Sequence, residues 1–501
     1  MGLLRCKGAG CFSFSRHRVR NSALLSADRA EISSSRAMDT DEFLRCIARP
    51  FITPRLGSAS RFASPGLPAP LKARIRESLQ RGGCHTDSIS SCGYHSLEPM
   101  ESFGADGVEL IPTEELTTAS ATQPLSATAS AHLDLARGLA AAAVAFQHLR
   151  ALLILDWPDT TTHSYFAAIF YFLAKFGHPA VIVFFVLSGF LVGSSGLRAI
   201  ENRTWSFPRY LLHRFLRLEI VLLPALLLGL IWDSIGIHLL GASALYNGGW
   251  HLLVRSGPID LSWHTLLGNA AFVQGILVPT FGTNSPLWSL SYEFWYYVLF
   301  GLLATAALRT ARLWVRLIMA ISAIIVAWFA GFAIMSLAPL WFLGLGIYLL
   351  PRKNLSRRVR LILPAASTLL FLIFLGLTFG GRSPVEIPTS ALMLDLVTGV
   401  LFSLVLYSIL HANPSRPRYR QIAHQIAAPT YTLYANHMPA MFVLLAWLGV
   451  RQPPTPIRCV ALVGWFIVFW LYAYGIYLLF ESRTKTIRDW IEPKLFPPPP
   501  R

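Results

Sequence analysis

Charge is scarce in this chain: Asp, Glu, Lys and Arg make up 14% of its 501 residues, against roughly 25% in a soluble domain. With 54% hydrophobic residues and a mean hydropathy of +0.50, a water-soluble globule is excluded. Cysteine is scarcer still. Five of the six (Cys6, Cys11, Cys46, Cys84 and Cys92) lie in the first hundred residues, at spacings that match neither a zinc site nor a regular disulfide framework, and Cys459 stands alone in an apolar segment. No metal or redox role follows. Acidic residues are outnumbered 26 to 43 by basic ones, a net charge of +17. A nucleic-acid binder would spread that excess over a soluble surface. Here the basic groups fall in short loops between apolar runs, where they fix orientation, so nucleic acid is excluded as a partner.

Residues 1–99 lack apolar periodicity. They are rich in Arg, Ser, Gly and Pro and read as disordered. No continuous apolar stretch near the start suits a signal peptide, and Asp28, Glu31, Asp39, Asp41 and Glu42 argue against a transit peptide. Composition changes abruptly at Met100, which marks an alternative start of translation. The expected organisation is a disordered region over 1–129, a membrane domain over 130–480 and a cytoplasmic tail over 481–501.

From Leu133 onward, apolar runs recur that are long enough to cross a hydrocarbon core of about 30 Å. They predict ten spans, at 133–155, 178–197, 210–237, 286–307, 313–333, 336–350, 360–379, 390–411, 427–449 and 457–480. The fold class is therefore an all-α polytopic integral membrane helical bundle, because lipid leaves no water to satisfy strand edges. Basic groups such as Arg198, Arg309, Arg357, Arg418 and Arg488 then all fall on one side. Set inside, they place both termini in the cytoplasm of a cell bounded by this inner (plasma) membrane. Residues 263–278, only about 16 long, read as a short helix lying on or dipping into the outer face. The span 336–350 is the shortest crossing.

Ionisable groups inside spans cost about 2.5 to 3.5 kcal/mol each, so each needs a reason. Arg137 and His148 lie on one face of the first span, with His148 about 22 Å above residue 133. Glu293 enters from the other side and lies about 10 Å down. The two reach a similar depth and could pair, either for acid/base chemistry or to hold two helices together. Arg214 and Arg217, at i and i+3, share a face suited either to a phosphorylated ligand or to snorkelling anchorage. Ser188 and Gly189 sit near mid-membrane, the glycine suited to close helix packing. Ser188 has no adjacent base and does not read as a nucleophile. Asn436 and His437 lie near the midplane and suit an interhelical hydrogen bond or a functional role equally. No clustered His, Asp and Glu set suggests a metal.

These segments, in order, carry a resemblance. LDLARGLAAAAVAFQH (Leu133 to His148), FFVLSGFL (Phe184 to Leu191), the Arg-x-x-Arg of Arg214 and Arg217, LWSLSYEFWYY (Leu287 to Tyr297) and YTLYANHMP (Tyr431 to Pro439) resemble the integral-membrane acyltransferase-3 family over about residues 130–480. The chain departs from the pattern at Thr430, at Asn436 and after Arg217, where Leu218, Glu219 and Ile220 stand in place of a nearby proline. The resemblance implies transfer of an acyl group, acetyl above all, from cytoplasmic acyl-CoA to a hydroxyl of an extracytoplasmic carbohydrate or glycolipid. Acyl-CoA would be a co-substrate, with no permanently bound cofactor. By resemblance, Arg137, Arg214 and Arg217 hold the donor and His148 with Glu293 carries acid/base chemistry. Trp288, Ser289, Ser291 and Tyr292 shape the acceptor mouth, with Ser188, Asn436 and His437 beside the substrate. Some members carry an extracytoplasmic esterase-like domain after the bundle. Only Glu481 to Arg501 follow here, so the chain is expected to act alone or with a separate partner. The rival from another class is a proton-coupled transporter or exporter of lipid-linked sugars, in which His148 and Glu293 relay protons. The two halves share no internal repeat of the kind transporters often show.

Overall fold

The computed structural model describes residues 125–161, 164–247, 258–351, 355–378, 389–412 and 417–497, all within one compact unit, Leu110–Arg501. The expectations for residues 1–124, disorder and a start at Met100, lie outside the described residues. Among those described there is no strand, only the isolated bridges Ile154 to Gln452 and Gln274 to Val278. The fold is the expected all-α polytopic bundle.

Local chemistry sets the helix ends. α1 (Ala127–Leu153) begins where the Ser126 side chain accepts the Ala129 N–H at 3.1 Å. α2 (Tyr165–Leu173) is capped in the same way by Ser164 and leads into α3 (Gly177–Glu201). α4 (Phe207–Ser234) carries Pro208 in its first turn, where a missing N–H breaks no helical bond. α5 (Trp263–Ala270) is capped by Ser262. There follow α6 (Trp288–Ala307), α7 (Leu313–Leu349), α8 (Arg357–Thr378), α9 (Thr389–Leu410) and α10 (Arg420–Ala427). α11 (Thr430–Leu448) ends at Gly449, whose φ of 77° gives the left-handed stop that glycine supplies without strain. α12 (Pro456–Leu479) and α13 (Thr484–Leu495) complete the chain.

Among the described residues, six stretches are long and apolar enough to cross a membrane: Tyr165–Glu201, Phe207–Leu239, Leu313–Leu349, Arg357–Thr378, Ala391–Leu410 and Pro456–Leu495. The sequence reading counts ten, and the difference has two sources. The expected spans 133–155, 286–307 and 427–449 are α1, α6 and α11, whose apolar runs are interrupted by polar side chains such as Arg137, His148, Glu293, Asn436 and His437. The expected spans 313–333 and 336–350 form one stretch, α7, broken at Gly331 (φ 78°, ψ 171°), backbone angles that only glycine adopts readily. Residues 263–278 do not cross. α5 spans only about 12 Å, and the turn after it presses Phe272 against Phe294, ring centroids 4.4 Å apart.

The apolar α3 packs in the core of the bundle, whereas α8 and much of α7 lie at its periphery. α7 and α8 expose Ile324, Trp328, Phe332, Leu361, Ile362 and Leu377, a surface suited to hydrocarbon. α3 and α7 meet backbone to backbone. A Cβ added at Gly189 would overlap the Trp341 carbonyl oxygen, and one at Gly344 the Val186 carbonyl oxygen, the small-residue packing expected of Gly189. At the far end from the basic loops, Leu155 N–H donates to Gln452 O at 2.9 Å and Gln452 N–H to Leu153 O at 2.8 Å. These bonds tie the end of α1 to the loop after α11. Asp156 reinforces the tie, bonding Arg150 Nη1 at 2.7 Å and Arg451 Nη2 at 2.9 Å. Partial burial pushes its carboxyl up, but the hydrogen bonds and charges of the two guanidiniums outweigh that and hold it below the ordinary carboxylate range.

Candidate active site

At the basic end of the bundle a cavity of about 430 Å³ opens between α1, α4, α10, the end of α12 and the first turns of α13. Arg137, Arg214, Arg217, Lys485 and Arg488 line it, against the carboxylates of Asp134 and Glu481. The three arginines expected to act together are thus brought to one place, although they come from two helices. Arg217 Nη2 lies 3.3 Å from Glu481 Oε1, and the other oxygen of this buried carboxylate accepts from Thr432, its N–H at 3.2 Å and its hydroxyl at 2.6 Å. Arg137 Nη1 is 3.8 Å from Asp134 Oδ1, one turn away on the same helix face. Arg214 donates to Ser195 Oγ at 2.9 Å and pairs with no carboxylate among the described residues, while its Nε is buried without a partner. A guanidinium so placed retains donors for an anion.

Glu293 belongs to a second group. Its Oε1 accepts from Ser188 Oγ at 2.8 Å and from the Tyr297 hydroxyl one turn along α6, and Ser188 Oγ in turn accepts from Trp341 Nε1 at 3.1 Å. The expected pairing of His148 with Glu293 is not formed. Matched depth along two helices does not fix the direction in which they face, and α6 turns Glu293 toward α3 and α7.

His148 pairs with His437 instead. Its Nδ1 lies 2.7 Å from His437 Nε2, with the ring planes 9° apart and centroids 5.1 Å apart, so the bond runs along the ring planes. The other nitrogen of His437 settles who donates. His437 Nδ1 is 2.9 Å from Leu433 O and 3.0 Å from Tyr434 O, and since carbonyls only accept, Nδ1 carries the proton. In the neutral ring Nε2 is then the acceptor, and His148 Nδ1 donates to it. This leaves His148 Nε2 with a free lone pair, on a ring that is only partly buried and has no other hydrogen-bond partner among the described residues. His437 itself is wholly buried. An imidazole in a fixed tautomer, with its outer nitrogen unprotonated and accessible, has the form that a general base requires.

The remaining expected residues are distributed around these groups. Ser289 Oγ bonds the Tyr434 hydroxyl at 2.6 Å, in the layer between Glu293 and His437. Trp288 packs edge to face on Tyr292 and on Phe185, whose ring lies parallel to that of Tyr292. Ser291, expected at the acceptor mouth, is fully buried and donates to Phe272 O at 2.8 Å. It holds the turn after α5 in place. Asn436 donates back to Thr432 O at 3.0 Å within its own helix, and its carbonyl oxygen is buried without a partner. It stands 100° round the helix from His437. Sequence reasoning missed Lys485 and Arg488, whose i, i+3 spacing after the last span was the available signal. It also missed Tyr297, one turn beyond Glu293, and gave Trp341 no role, since nothing in the sequence links it to Ser188. Among the described residues no group of three or more His, Cys, Asp and Glu side chains is placed to hold a metal ion.

Comparison with known proteins adds one finding. Residues 130–477, more than half of the chain, match the acyltransferase domain of the acyltransferase-3 family. Among curated proteins and solved structures nothing matches.

Proposed function

Since the chain belongs to the acyltransferase-3 family of membrane acyltransferases, we propose that it takes an acyl group, acetyl in the simplest case, from cytoplasmic acyl-CoA. The acceptor is a hydroxyl of a carbohydrate or glycolipid on the other side of the membrane. The observation that carries this reading is the pair of sites at two levels of one bundle. A net-positive cavity containing Arg137, Arg214 and Arg217 opens at the basic end, and a tautomer-fixed His148 stands farther along α1. The diphosphate of the donor rests on the guanidinium forks. The basic loops set this cavity toward the cytoplasm of the inner membrane, and the flexible arm of the donor carries the thioester up toward His148.

In the reaction, His148 Nε2 removes the proton of the acceptor hydroxyl as its oxygen attacks the thioester carbonyl. His437 steadies the imidazolium through the Nδ1–H bond. Collapse of the tetrahedral adduct breaks the carbon–sulfur bond, and the leaving thiolate takes the proton back from His148. Direct transfer of this kind needs no further nucleophile, and Ser188, engaged by Glu293 and Trp341, is not placed as one. Glu293, Ser188, Tyr297 and Trp341 form the wall past which the acyl arm runs, and Trp288, Ser289 and Tyr292 face the acceptor.

The test is the mass of surface polysaccharide from cells carrying the wild-type gene, the His148→Gln variant or neither. An added acyl group in the wild type alone supports the reading. Identical masses in all three, with the protein present in the membrane, overturn the assigned acceptor class.

A further inference from the structure

Lys485 and Arg488 lie outside every segment that carries the family resemblance, yet both line the basic cavity. They sit at i and i+3 on α13, so they share one face of that helix. That face looks across the cavity at Arg214 and Arg217, themselves an i, i+3 pair on α4. α13 is held in this position rather than trailing: Glu492 accepts from His213 Nε2 at 2.9 Å and lies 3.9 Å from Arg209, which also covers the Phe496 ring. Three of the cavity's cations have a carboxylate close by, Arg137 with Asp134, Arg217 with Glu481 and Arg488 with Asp489. Lys485 has no carboxylate partner among the described residues. The contacts of α13 order the two pairs along α4: Glu481, just before α13, meets Arg217, and Glu492, about two to three turns on, meets His213 and Arg209 near the start of α4, so Lys485 and Arg488 lie on the mouth side of Arg217.

A coenzyme A thioester carries two separate anionic groups. The diphosphate lies between the pantetheine arm and the nucleoside, and a single phosphate sits on the ribose, farther from the thioester. With the arm directed inward, the diphosphate comes to the deeper arginines and the ribose phosphate stays at the mouth. We propose that Lys485 and Arg488 form a subsite for the 3′-phosphate of the donor, so that the carboxy-terminal helix selects coenzyme A over pantetheine carriers that lack this phosphate. This rests on the acyl-CoA reading of the cavity and assigns it a second, separate phosphate site.

The experiment measures binding of acetyl-CoA and of its 3′-dephospho analogue to the purified full chain by titration calorimetry, which needs no acceptor. Charge-assisted contacts of the kind lost with the phosphate correspond to a roughly tenfold or greater preference for acetyl-CoA in the wild type. In Lys485→Ala/Arg488→Ala that preference falls to about one, with binding of the dephospho analogue reporting that the cavity is intact. In the charge-keeping Lys485→Arg/Arg488→Lys it persists. A wild type without preference, or a preference that survives in the alanine variant, overturns the subsite and leaves the donor reading standing. Failure of the wild type to bind either thioester overturns both.

Discussion

Replacing His437 separates a wired imidazole pair from two histidines that merely pack. In His437→Leu the acceptor of the 2.7 Å bond from His148 Nδ1 is gone. Nothing then holds the proton on that nitrogen, and the ring loses both its tautomer and its orientation. General-base participation contributes about 100- to 10,000-fold, and much of it depends on the lone pair being on Nε2 when the acceptor arrives. A loss of about 100-fold, equivalent to about 2.7 kcal/mol of barrier, is the expected lower end. His437→Gln gives the control, since its side-chain carbonyl reaches about as far as the lost Nε2 and can accept from Nδ1–H; its loss stays within about tenfold of the wild type. Because the two rings act as a unit, His148→Gln/His437→Leu is little slower than His148→Gln alone. The assay is release of CoA thiol from acetyl-CoA by purified protein supplied with acceptor-bearing membrane extract, alongside membrane abundance of each variant. A His437→Leu protein of normal abundance with half the wild-type rate, or a double variant slower by the product of the single effects, refutes the dyad.

Four further outcomes follow from the same geometry. Glu293→Gln lowers the rate, but with Glu293 bonded to Ser188 and Tyr297 rather than to His148, its effect multiplies with that of His148→Gln in a double variant; a double no worse than either single restores the direct pairing. Arg217→Lys keeps the charge near Glu481 but loses the planar fork, so the KM for acetyl-CoA rises while abundance stays normal, and an unchanged KM removes Arg217 from the donor site. Reporter fusions after 205, 310 and 490 read cytoplasmic, while those near 161, 245 and 453 read external; an external signal at 310 would invert α6 and everything after it. The Asp156 carboxyl, whose folded-state value lies below its unfolded value, adds stability that is fully present above about pH 4 and lost as pH falls through the folded value. The difference in thermal unfolding temperature between wild type and Asp156→Asn therefore shrinks on acidification, and a difference that grows would contradict the assignment.

Helix existence was legible because membrane spans announce themselves by composition over twenty residues, and the all-α bundle needed no more than that. The break at Gly331 was not, since an apolar run reads the same whether the backbone passes straight through or not. The cavity was half legible. Arg214 and Arg217 declare a shared face by spacing, but Lys485 and Arg488 reach the same space only because Glu492 docks α13 on His213, a contact between residues 279 positions apart. His148 and His437 each stood out as costly groups within the membrane. Choosing His437 over Glu293 as the partner of His148 required the rotation of each helix about its own axis, which depth along a helix does not contain.

The glycine contact between α3 and α7 bears on how this wall can move. Where Gly189 lies on the Trp341 carbonyl and Gly344 on that of Val186, no side chain stands between the helices to take up a displacement. Sliding α3 by one residue would drive Ser188 or Phe190 into the place of Gly189. The pair therefore works like a locked vernier: Ser188, next to one notch, is kept in register with the Trp341 indole on α7 and with Glu293 on α6. On the proposed route of the acyl arm, any widening has to come from helices other than α3 and α7, against a wall that stays still.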